Sequence, residues 1–158
     1  MPSVSSVVET SSSTPHSALR TPHYSRPLRF GALICFESTF SSMARRFAAS
    51  GADFLVVITN DAWYGLSAGA AAHHNLSLLR AVETRRYVLR CANTGISSII
   101  APTGRILATL GLGQSGILRA TITPKTDYCA TLFTRFGNAW LVLPALLLAL
   151  AAWRKRKS

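Results

Sequence analysis

The sequence predicts an α/β domain with a mixed sheet, followed by one transmembrane helix at the C-terminal end. Strand and helix patterns alternate over residues 28–87, which is typical of parallel β-α-β units with a right-handed crossover. Strand patterns then follow one another over 87–122 with hairpin-type turns between them, which adds antiparallel strands. Residues 139–153 are apolar and carry no charge, which indicates a helix in lipid.

The first three elements are predicted from apolar runs and from the residues that end them. Residues 28–35 (LRFGALIC) are expected to form a strand that is buried on both faces toward its end at Cys35. A helix at 39–51 ends at Gly51, and the β-branched run at 53–59 (DFLVVIT) is typical of a central strand. The predicted apolar face of the helix comprises Phe40, Met43, Ala44 and Phe47.

The second helix and a series of short strands complete the predicted domain. Residues 68–87 have helical periodicity, and strands are expected at 87–92, 96–101, 105–110 and 116–122, separated by NTG, PTG and GLGQSG turns. The predicted apolar stripe of this helix comprises Ala72, Leu76, Leu79 and Val82 with Glu83. A β-meander therefore closes the predicted sheet.

The N-terminal segment differs in composition from the rest of the chain. Ser, Thr and Pro occupy 15 of the first 27 positions and apolar periodicity is absent, so residues 1–27 are predicted to be disordered. The net charge is +11, but four of the basic residues lie in the C-terminal tail and the others are scattered without a basic–aromatic stripe. This pattern favours anionic lipid headgroups over nucleic acid as a partner.

Residues 136–153 are predicted to form the transmembrane helix. These 18 residues extend about 27 Å as a helix, close to the ~30 Å hydrocarbon core, and Trp140 and Trp153 lie near its ends. A buried C-terminal core helix is the alternative. The basic tail at 154–158 predicts a cytoplasmic end, so the preceding domain is expected on the extracytoplasmic side. Because residues 1–27 hold no apolar export signal, we expect a membrane region to precede this chain in a longer protein.

A thiol and several polar side chains follow the ends of the first three predicted strands. Cys35 closes the first strand, NDAWYG (60–65) follows the second, and NTG (93–95) follows the third. Because the carboxyl ends of parallel strands meet at one edge of a sheet, Cys35 is expected to lie beside Asn60 and Asp61. Each feature also has a structural interpretation, as a core cysteine, an aromatic turn or a hairpin loop.

These segments together resemble the carbon–nitrogen hydrolase (nitrilase) superfamily, and look most similar to its membrane branch, the apolipoprotein N-acyltransferases. ICFES (34–38), GADFLVVITNDAWYG (51–65), HHNLSLLRAVETRRYVLRCANTGISSIIAPTGRI (73–106) and the C-terminal helix with its basic tail carry the resemblance. It implies that 28–135 is the C-terminal portion of an α-β-β-α sandwich. Without the early strands, a sheet edge and an apolar face are exposed, and marginal stability is expected.

The resemblance implies acyl transfer through Cys35. As the nucleophile, its thiolate would take an acyl group from a phospholipid as a thioester and pass it to the N-terminal amine of a diacylglyceryl lipoprotein. The backbone N–H of Phe36 would donate to the oxyanion, and Glu37 would fix the loop around Cys35. The residues implied to line the cleft are Asn60, Asp61, Trp63, Tyr64 and Thr94, and those implied as structural support are Arg80 and Glu83.

The resemblance implies no cofactor and no metal, and a location at the bacterial inner (plasma) membrane; a monomer is expected. No His or Cys cluster has the spacing of a zinc site. Arg80 and Glu83, taken alone, are typical of a helix-surface ion pair at i,i+3. A Cys91–Cys129 disulfide stays open as an alternative to free thiols.

The chain departs from the family's Glu–Lys–Cys triad, in which Glu is the general base and Lys helps to hold the oxyanion. Upstream of Cys35 there is one acid, Glu9, and no Lys; Lys125 lies downstream and does not correspond. We therefore expect the purified chain not to N-acylate a diacylated lipopeptide. The alternatives are a truncated non-catalytic membrane-anchored product, a generic superfamily amidase, and a Cys–His dyad with His73 or His74. Glu37 is too near Cys35 in sequence to be a well-placed base.

Overall fold

The computed structural model describes residues 24–65, 67–126 and 130–157. Most of the segment predicted to be disordered, residues 1–23, therefore lies outside the described residues. The same holds for Cys129 and for its pairing with Cys91.

A five-stranded mixed sheet forms the body of the domain, with its strands in chain order. The strands are β1 (Phe30–Ile34), β2 (Phe54–Asn60), β3 (Tyr87–Asn93), β4 (Ser97–Ile100) and β5 (Ile106–Leu110). The first three strands are parallel, and β4 and β5 are antiparallel to their neighbours. The predicted α/β class with a mixed sheet is confirmed.

One predicted strand does not form. Residues 116–122 have no regular secondary structure. The Gly-rich segment before them turns away from β5, since Gly113 N donates to Thr94 O at 2.9 Å and Gly111 N donates to the Gln114 side chain at 2.8 Å. The chain is therefore directed over the sheet instead of along its edge.

Two helices, α1 (Ser41–Ala49) and α2 (Ala68–Thr84), cover one face of the sheet. Large apolar side chains from the strands meet small residues of the helices there, so the helices approach the sheet closely. The buried cluster comprises Leu33, Ala44, Ala52, Leu55, Val57, Ala81, Val88 and Ile100, with Met43, Phe47 and Leu78 packed against it. The predicted face of α1 therefore lies in the core except for Phe40, which precedes the helix and is exposed.

The prediction for the buried face of α2 is wrong. Leu79 is 51% exposed and Val82 is 42% exposed, and Ala72 also faces solvent. The buried residues of α2 are Ala70, His73, His74, Ser77, Arg80, Ala81 and Thr84. Polar groups outside the helix bind its two histidines, Ser77 and Arg80. Hydrogen-bond partners rather than hydrophobicity therefore decide which face is buried.

The opposite face of the sheet exposes apolar side chains, as the sequence predicts. Phe30, Ile34 and Ile58 are all more than half exposed, and the Phe30 ring stacks on Phe54 with centroids 5.8 Å apart. A cavity of about 280 Å³ lies against the sheet, where Leu118 is among its lining residues.

The C-terminal segment is bent, so the prediction of one continuous helix at 136–153 is not confirmed. A short helix α3 (Leu132–Phe136) leads through a 3-10 turn (Gly137–Leu141) into α4 (Val142–Lys157), and Gly137 has a left-handed φ of 57°. Among the described residues no single helix has the length and apolar character to cross a bilayer. One pair, Leu132–Ala139 and Pro144–Lys155 at 42°, meets that criterion by length and composition.

Helix α3 is attached to the helical layer by side-chain donors that bind main-chain carbonyls. Arg45 of α1 donates from Nε to Phe133 O at 3.2 Å and from Nη2 to Arg135 O at 3.0 Å. Thr131 Oγ1 donates to Glu83 O of α2 at 2.6 Å. These bonds fix the base of the segment that continues into α4.

Candidate active site

Cys35 lies immediately after β1, at the carboxyl edge of the three parallel strands, as predicted. It opens a 3-10 turn (Cys35–Thr39), is partly exposed, and has a φ of 49°. A left-handed φ is uncommon for a residue with a Cβ and costs about 1–3 kcal/mol, so surrounding contacts must hold it. The turn places the thiol at the edge of the sheet.

Hydrogen bonds on both sides of Cys35 hold this turn. The Glu37 carboxylate accepts from Ile34 N at 2.8 Å, which fits its implied role of fixing the loop. Ser38 Oγ donates to Cys35 O at 2.9 Å. The Phe36 N–H belongs to the first turn of the 3-10 segment, where amides have no acceptor within the helix. It therefore remains suited to bind an oxyanion beside the thiol.

Arg80 connects helix α2 to the end of the same turn. Its Nη1 donates to Thr39 O at 3.0 Å, and its Nη2 donates to Glu83 Oε1 at 3.1 Å. Arg80 is buried, so the pair is not the surface ion pair that the i,i+3 spacing suggests by itself. Burial raises the pKa of the Glu83 carboxyl, and the Arg80 charge opposes this change.

Residues at the ends of β2 and β3 lie at the same edge of the sheet as Cys35. Asn60 and Asn93 are register partners, and Asn60 Oδ1 accepts from Ala62 N at 3.1 Å. Trp63 is 73% exposed, and Thr94 is exposed with a left-handed φ of 60°. These side chains border the edge, as do Tyr64 and Asn93, the first residue of the predicted NTG turn.

Asp61 lies beneath this edge instead of lining an open cleft, because the residue is only 1% exposed. Its carboxylate accepts from Arg90 Nη2 at 2.6 Å and from Thr59 Oγ1 at 2.9 Å, and it contacts His73 Nδ1 at 2.9 Å. A Cβ on Gly95 would collide with the carboxylate, so the loop after β3 packs directly on it. Asp61 therefore joins three elements from below the site.

The buried charges around Asp61 are perturbed by their surroundings. Burial lowers the pKa of Arg90, and the Asp61 carboxylate opposes that effect through its charge and its hydrogen bond. Burial also lowers the pKa of His74, and the Arg90 charge adds to it. The Arg90 cation is thus held in the interior by its pairing with Asp61.

Neither histidine of α2 forms a dyad with Cys35. His73 Nε2 lies 2.9 Å from Ser38 Oγ, its Nδ1 contacts Asp61, and His74 Nε2 lies 2.9 Å from Ser98 Oγ. Among the described residues, no side chain hydrogen-bonds to the Cys35 thiol. No contact of the described residues supports the interpretation as a Cys–His protease-like site.

Sequence reasoning missed Ser38 and Arg90. A signal for Arg90 was available, since a cation within the apolar strand YVLRCA needs a buried anion, and Asp61 follows the neighbouring strand. Ser38 carried no comparable signal, because a serine after a strand is ordinary in a turn.

Known proteins resemble this chain in sequence. The apolipoprotein N-acyltransferase of Rickettsia bellii (strain RML369-C) is 40% identical over 73% of this chain and 23% of its own length. That of Geobacter metallireducens is 37% identical over 81% of this chain and 25% of its own length. The chain thus spans about a quarter of the length of the curated relatives it matches.

Fold and family comparisons agree with each other. The crystal structure of a carbon-nitrogen hydrolase from Helicobacter pylori G27 has a TM-score of 0.50, covering 54% of this chain and 37% of that one, at 14% identity. That likeness shows the fold alone. The carbon-nitrogen hydrolase family profile matches residues 2–127, most of the chain. The chain therefore belongs to the carbon-nitrogen hydrolase family.

Proposed function

We propose that this chain is the nucleophile-bearing part of a lipoprotein N-acyltransferase, with Cys35 as the acyl carrier. The observation that supports it most is the placement of Cys35, in a left-handed turn at the carboxyl edge of parallel strands, beside the Phe36 N–H, which has no acceptor within that turn. The relatives' printed name, apolipoprotein N-acyltransferase, supports the choice of reaction.

The proposed reaction has two acyl transfers. The Cys35 sulfur attacks an ester carbonyl of a phospholipid, a C–S bond forms, and the lysophospholipid leaves as its alcohol with the proton that the thiol loses. The N-terminal amine of a diacylglyceryl lipoprotein then attacks the thioester, an amide forms, and the thiol is regenerated. The Phe36 N–H stabilises the oxyanion in both steps.

The first step needs a base that removes the thiol proton. Among the described residues, no carboxylate or imidazole is within hydrogen-bond distance of the thiol, and the Glu37 carboxylate is bonded to Ile34 N. We therefore assign two groups to a part of the protein beyond the described residues. One is the base, and the other is the cation that would help to hold the oxyanion.

Exposed aromatic side chains near Cys35 suit an acyl chain. Phe36 is 51% exposed and packs edge-on against Phe40 at 5.7 Å, and Trp63 at the same edge of the sheet is 73% exposed. An acyl chain gains about 0.8 kcal/mol for each CH₂ that such a surface removes from water. These rings are therefore proposed as the acyl-binding surface.

The C-terminal segment suits a membrane location. Leu147, Leu148 and Trp153 of α4 are all more than half exposed, and the segment ends in basic residues that attract anionic headgroups. We place the domain at the bacterial inner membrane, on its extracytoplasmic side, with the basic tail cytoplasmic.

A single-turnover experiment separates the two transfers. The purified chain is loaded with an activated acyl ester, which needs less help from a base, and is then mixed with a diacylglyceryl lipopeptide. We expect the acyl group on Cys35 to pass to a lipopeptide with a free N-terminal amine, and not to a matched lipopeptide whose amine is acetylated. With phospholipid as donor the base is still needed, so there the expectation from the sequence holds, and the chain should show no turnover and no N-acylation of the lipopeptide.

Two results would overturn the proposal. One is acyl loading that survives Cys35→Ala unchanged. The other is a loaded Cys35 that loses its acyl group to water at the same rate whether the free amine is present or absent.

A further inference from the structure

Ser38, His73 and Asp61 form a chain of buried hydrogen bonds that ends on the main chain of Cys35. Ser38 Oγ lies 2.9 Å from Cys35 O and 2.9 Å from His73 Nε2, and His73 Nδ1 lies 2.9 Å from Asp61 Oδ1. All three side chains are at most 3% exposed, so none can touch a substrate. Their contact with the site is through the carbonyl of Cys35.

The number of hydrogens that Ser38, His73 and Asp61 share limits which of their hydrogen bonds can exist at the same time. The Asp61 carboxylate only accepts, so His73 Nδ1 carries a hydrogen. In a neutral ring Nε2 is then bare and accepts the single hydroxyl hydrogen of Ser38, which leaves Cys35 O without that donor. Ser38 can donate to Cys35 O and still bond to the ring only when Nε2 also carries a hydrogen.

The other neutral tautomer, with hydrogen on Nε2 alone, fits the contacts less well. It would leave Nδ1 to accept from Arg90 Nη2 at 3.2 Å, a longer contact than the 2.9 Å to Asp61 Oδ1. It would also direct the Nδ1 lone pair at a carboxylate oxygen in a buried position, which is costly. We therefore assign the hydrogen of the neutral ring to Nδ1.

We infer that His73 is a positioning residue whose protonation switches the hydroxyl of Ser38 between two acceptors. With both ring hydrogens present, Ser38 donates to the Cys35 carbonyl; when Nε2 loses its hydrogen, Ser38 turns to Nε2 and releases that carbonyl. The carbonyl bond supports the left-handed conformation of Cys35, with its φ of 49°. The consequence for catalysis rests on the proposed role of Cys35, whereas the exchange itself does not.

Charged and titratable groups face His73 from several elements. Asp61 after β2 is negative and Arg90 of β3 is positive, and the Tyr64 ring lies 5.9 Å from the imidazole. Cys35 lies on the far side of Ser38. The adjacent His74 is directed to Ser98 instead. Charges of both signs therefore contact the ring.

The sequence allows one carbonyl to be observed alone. Cys35–Phe36 is the only Cys–Phe pair in the chain. Protein labelled with ¹³C at cysteine carbonyls and ¹⁵N at phenylalanine amides therefore gives a single carbonyl-to-amide correlation, which reports the ¹³C shift of Cys35 C=O. A carbonyl carbon moves upfield when it loses a hydrogen bond.

The experiment follows this signal as the pH is varied over about pH 4 to 9. In the unmodified chain, we expect the Cys35 carbonyl to move upfield in one step as the pH rises. Ser38→Ala removes the donor and should fix the signal upfield at every pH. His73→Phe removes the competing acceptor and should fix it downfield.

A matched control is available in the neighbouring pair. Ser98→Ala removes a buried hydroxyl that is also 2.9 Å from a histidine Nε2, but on β4, away from Cys35. It should leave the titration in place. A carbonyl shift that is independent of pH in the unmodified chain, as the Nε2–H tautomer would give, overturns the inference, and so does a titration that persists in Ser38→Ala. Acyl loading plays no part in these signals, so failure of the proposed function would leave them unchanged.

Discussion

The Asp61–Arg90 pair gives the sharpest prediction about stability. Both side chains are wholly buried, and Arg90 Nη2 lies 2.6 Å from Asp61 Oδ2. Arg90→Met removes the cation and leaves the carboxylate without its charge partner. Asp61→Asn makes the opposite change and leaves the guanidinium unpaired.

The expected loss follows from the cost of an uncompensated buried charge. Removing one partner of such a pair costs about 3–5 kcal/mol. Thr59→Val removes only a neutral donor at 2.9 Å from the same carboxylate, so its cost should be nearer 1 kcal/mol. The two charge variants should therefore lower the free energy of unfolding clearly more than Thr59→Val does, although all three changes affect the same buried carboxylate.

Urea unfolding followed by circular dichroism measures these losses. With a dependence of roughly 1.5 kcal/mol per molar urea, a loss of 3–5 kcal/mol moves the midpoint by about 2–3 M. If the charge variants unfold without denaturant, Thr59→Val still supplies a measurable step. Arg46→Met, at an exposed arginine of α1, should stay within about 0.5 kcal/mol. A change below about 1 kcal/mol in both charge variants would refute the reasoning.

Three further predictions concern packing, pH and the attachment of α3. Gly95→Ala should lower stability by about 1–3 kcal/mol in urea unfolding, because the new Cβ collides with Asp61. Burial alone would raise the pKa of Asp53, but hydrogen bonds from Arg26 and from the backbone outweigh it and the pKa is lowered. The lowered pKa of Asp53 contributes stability above the unfolded pKa of about 3.9, and this contribution is lost as the pH falls through the lower folded pKa. Arg26→Ala should therefore reduce the acid-dependent part of the shift in the urea midpoint. Arg45→Ala should speed hydrogen exchange of α3 amides, because two carbonyl bonds to that helix are removed.

Matched variants control these measurements. Gly111→Ala adds the same methyl group but meets only the flexible Gln114 side chain, so its effect should be smaller than that of Gly95→Ala. Arg46→Ala changes the exposed neighbour of Arg45 and should leave the exchange of α3 amides as it was. Equal effects within either pair would contradict the packing described, as would an acid profile that Arg26→Ala does not alter.

The sheet and its edge could be predicted because their signals are local. Apolar runs marked the five strands that form, and Cys35 and Asn60 were placed at one edge simply because they follow parallel strands. The segment 116–122 has the same composition as a strand, yet Gly113 bonds to Thr94 and directs the chain away from β5. That partner is distant in sequence, so the pattern alone could not reveal it.

The buried face of α2 shows a second limit of sequence reasoning. Hydropathy favoured Leu79 and Val82 as buried. His73 and Arg80 are buried instead, because His73 bonds to Asp61 and Arg80 bonds to the Thr39 carbonyl. The hydropathy of a residue does not show which polar group it will bind in the folded protein. The site residues were hidden for the same reason, since a polar side chain can be buried once it is hydrogen-bonded.

The C-terminal segment shows a third limit. Composition predicted one helix over 136–153, but Gly137 adopts a left-handed φ and a 3-10 turn interrupts the helix. Arg45 and Thr131 hold the short helix before that break against α1 and α2. Apolar length alone therefore did not determine the course of the chain.

The rate of thioester formation at each thiol tests the central claim most directly. Cys35 at the sheet edge and the exposed Cys91 of β3 lie in the same chain, so one reaction with an activated acyl ester compares them under identical conditions. Peptide mapping should find acylation of Cys35 at least about tenfold faster, a difference of about 1.4 kcal/mol in barrier. Equal rates at the two thiols, or faster acylation of Cys91, would contradict the account.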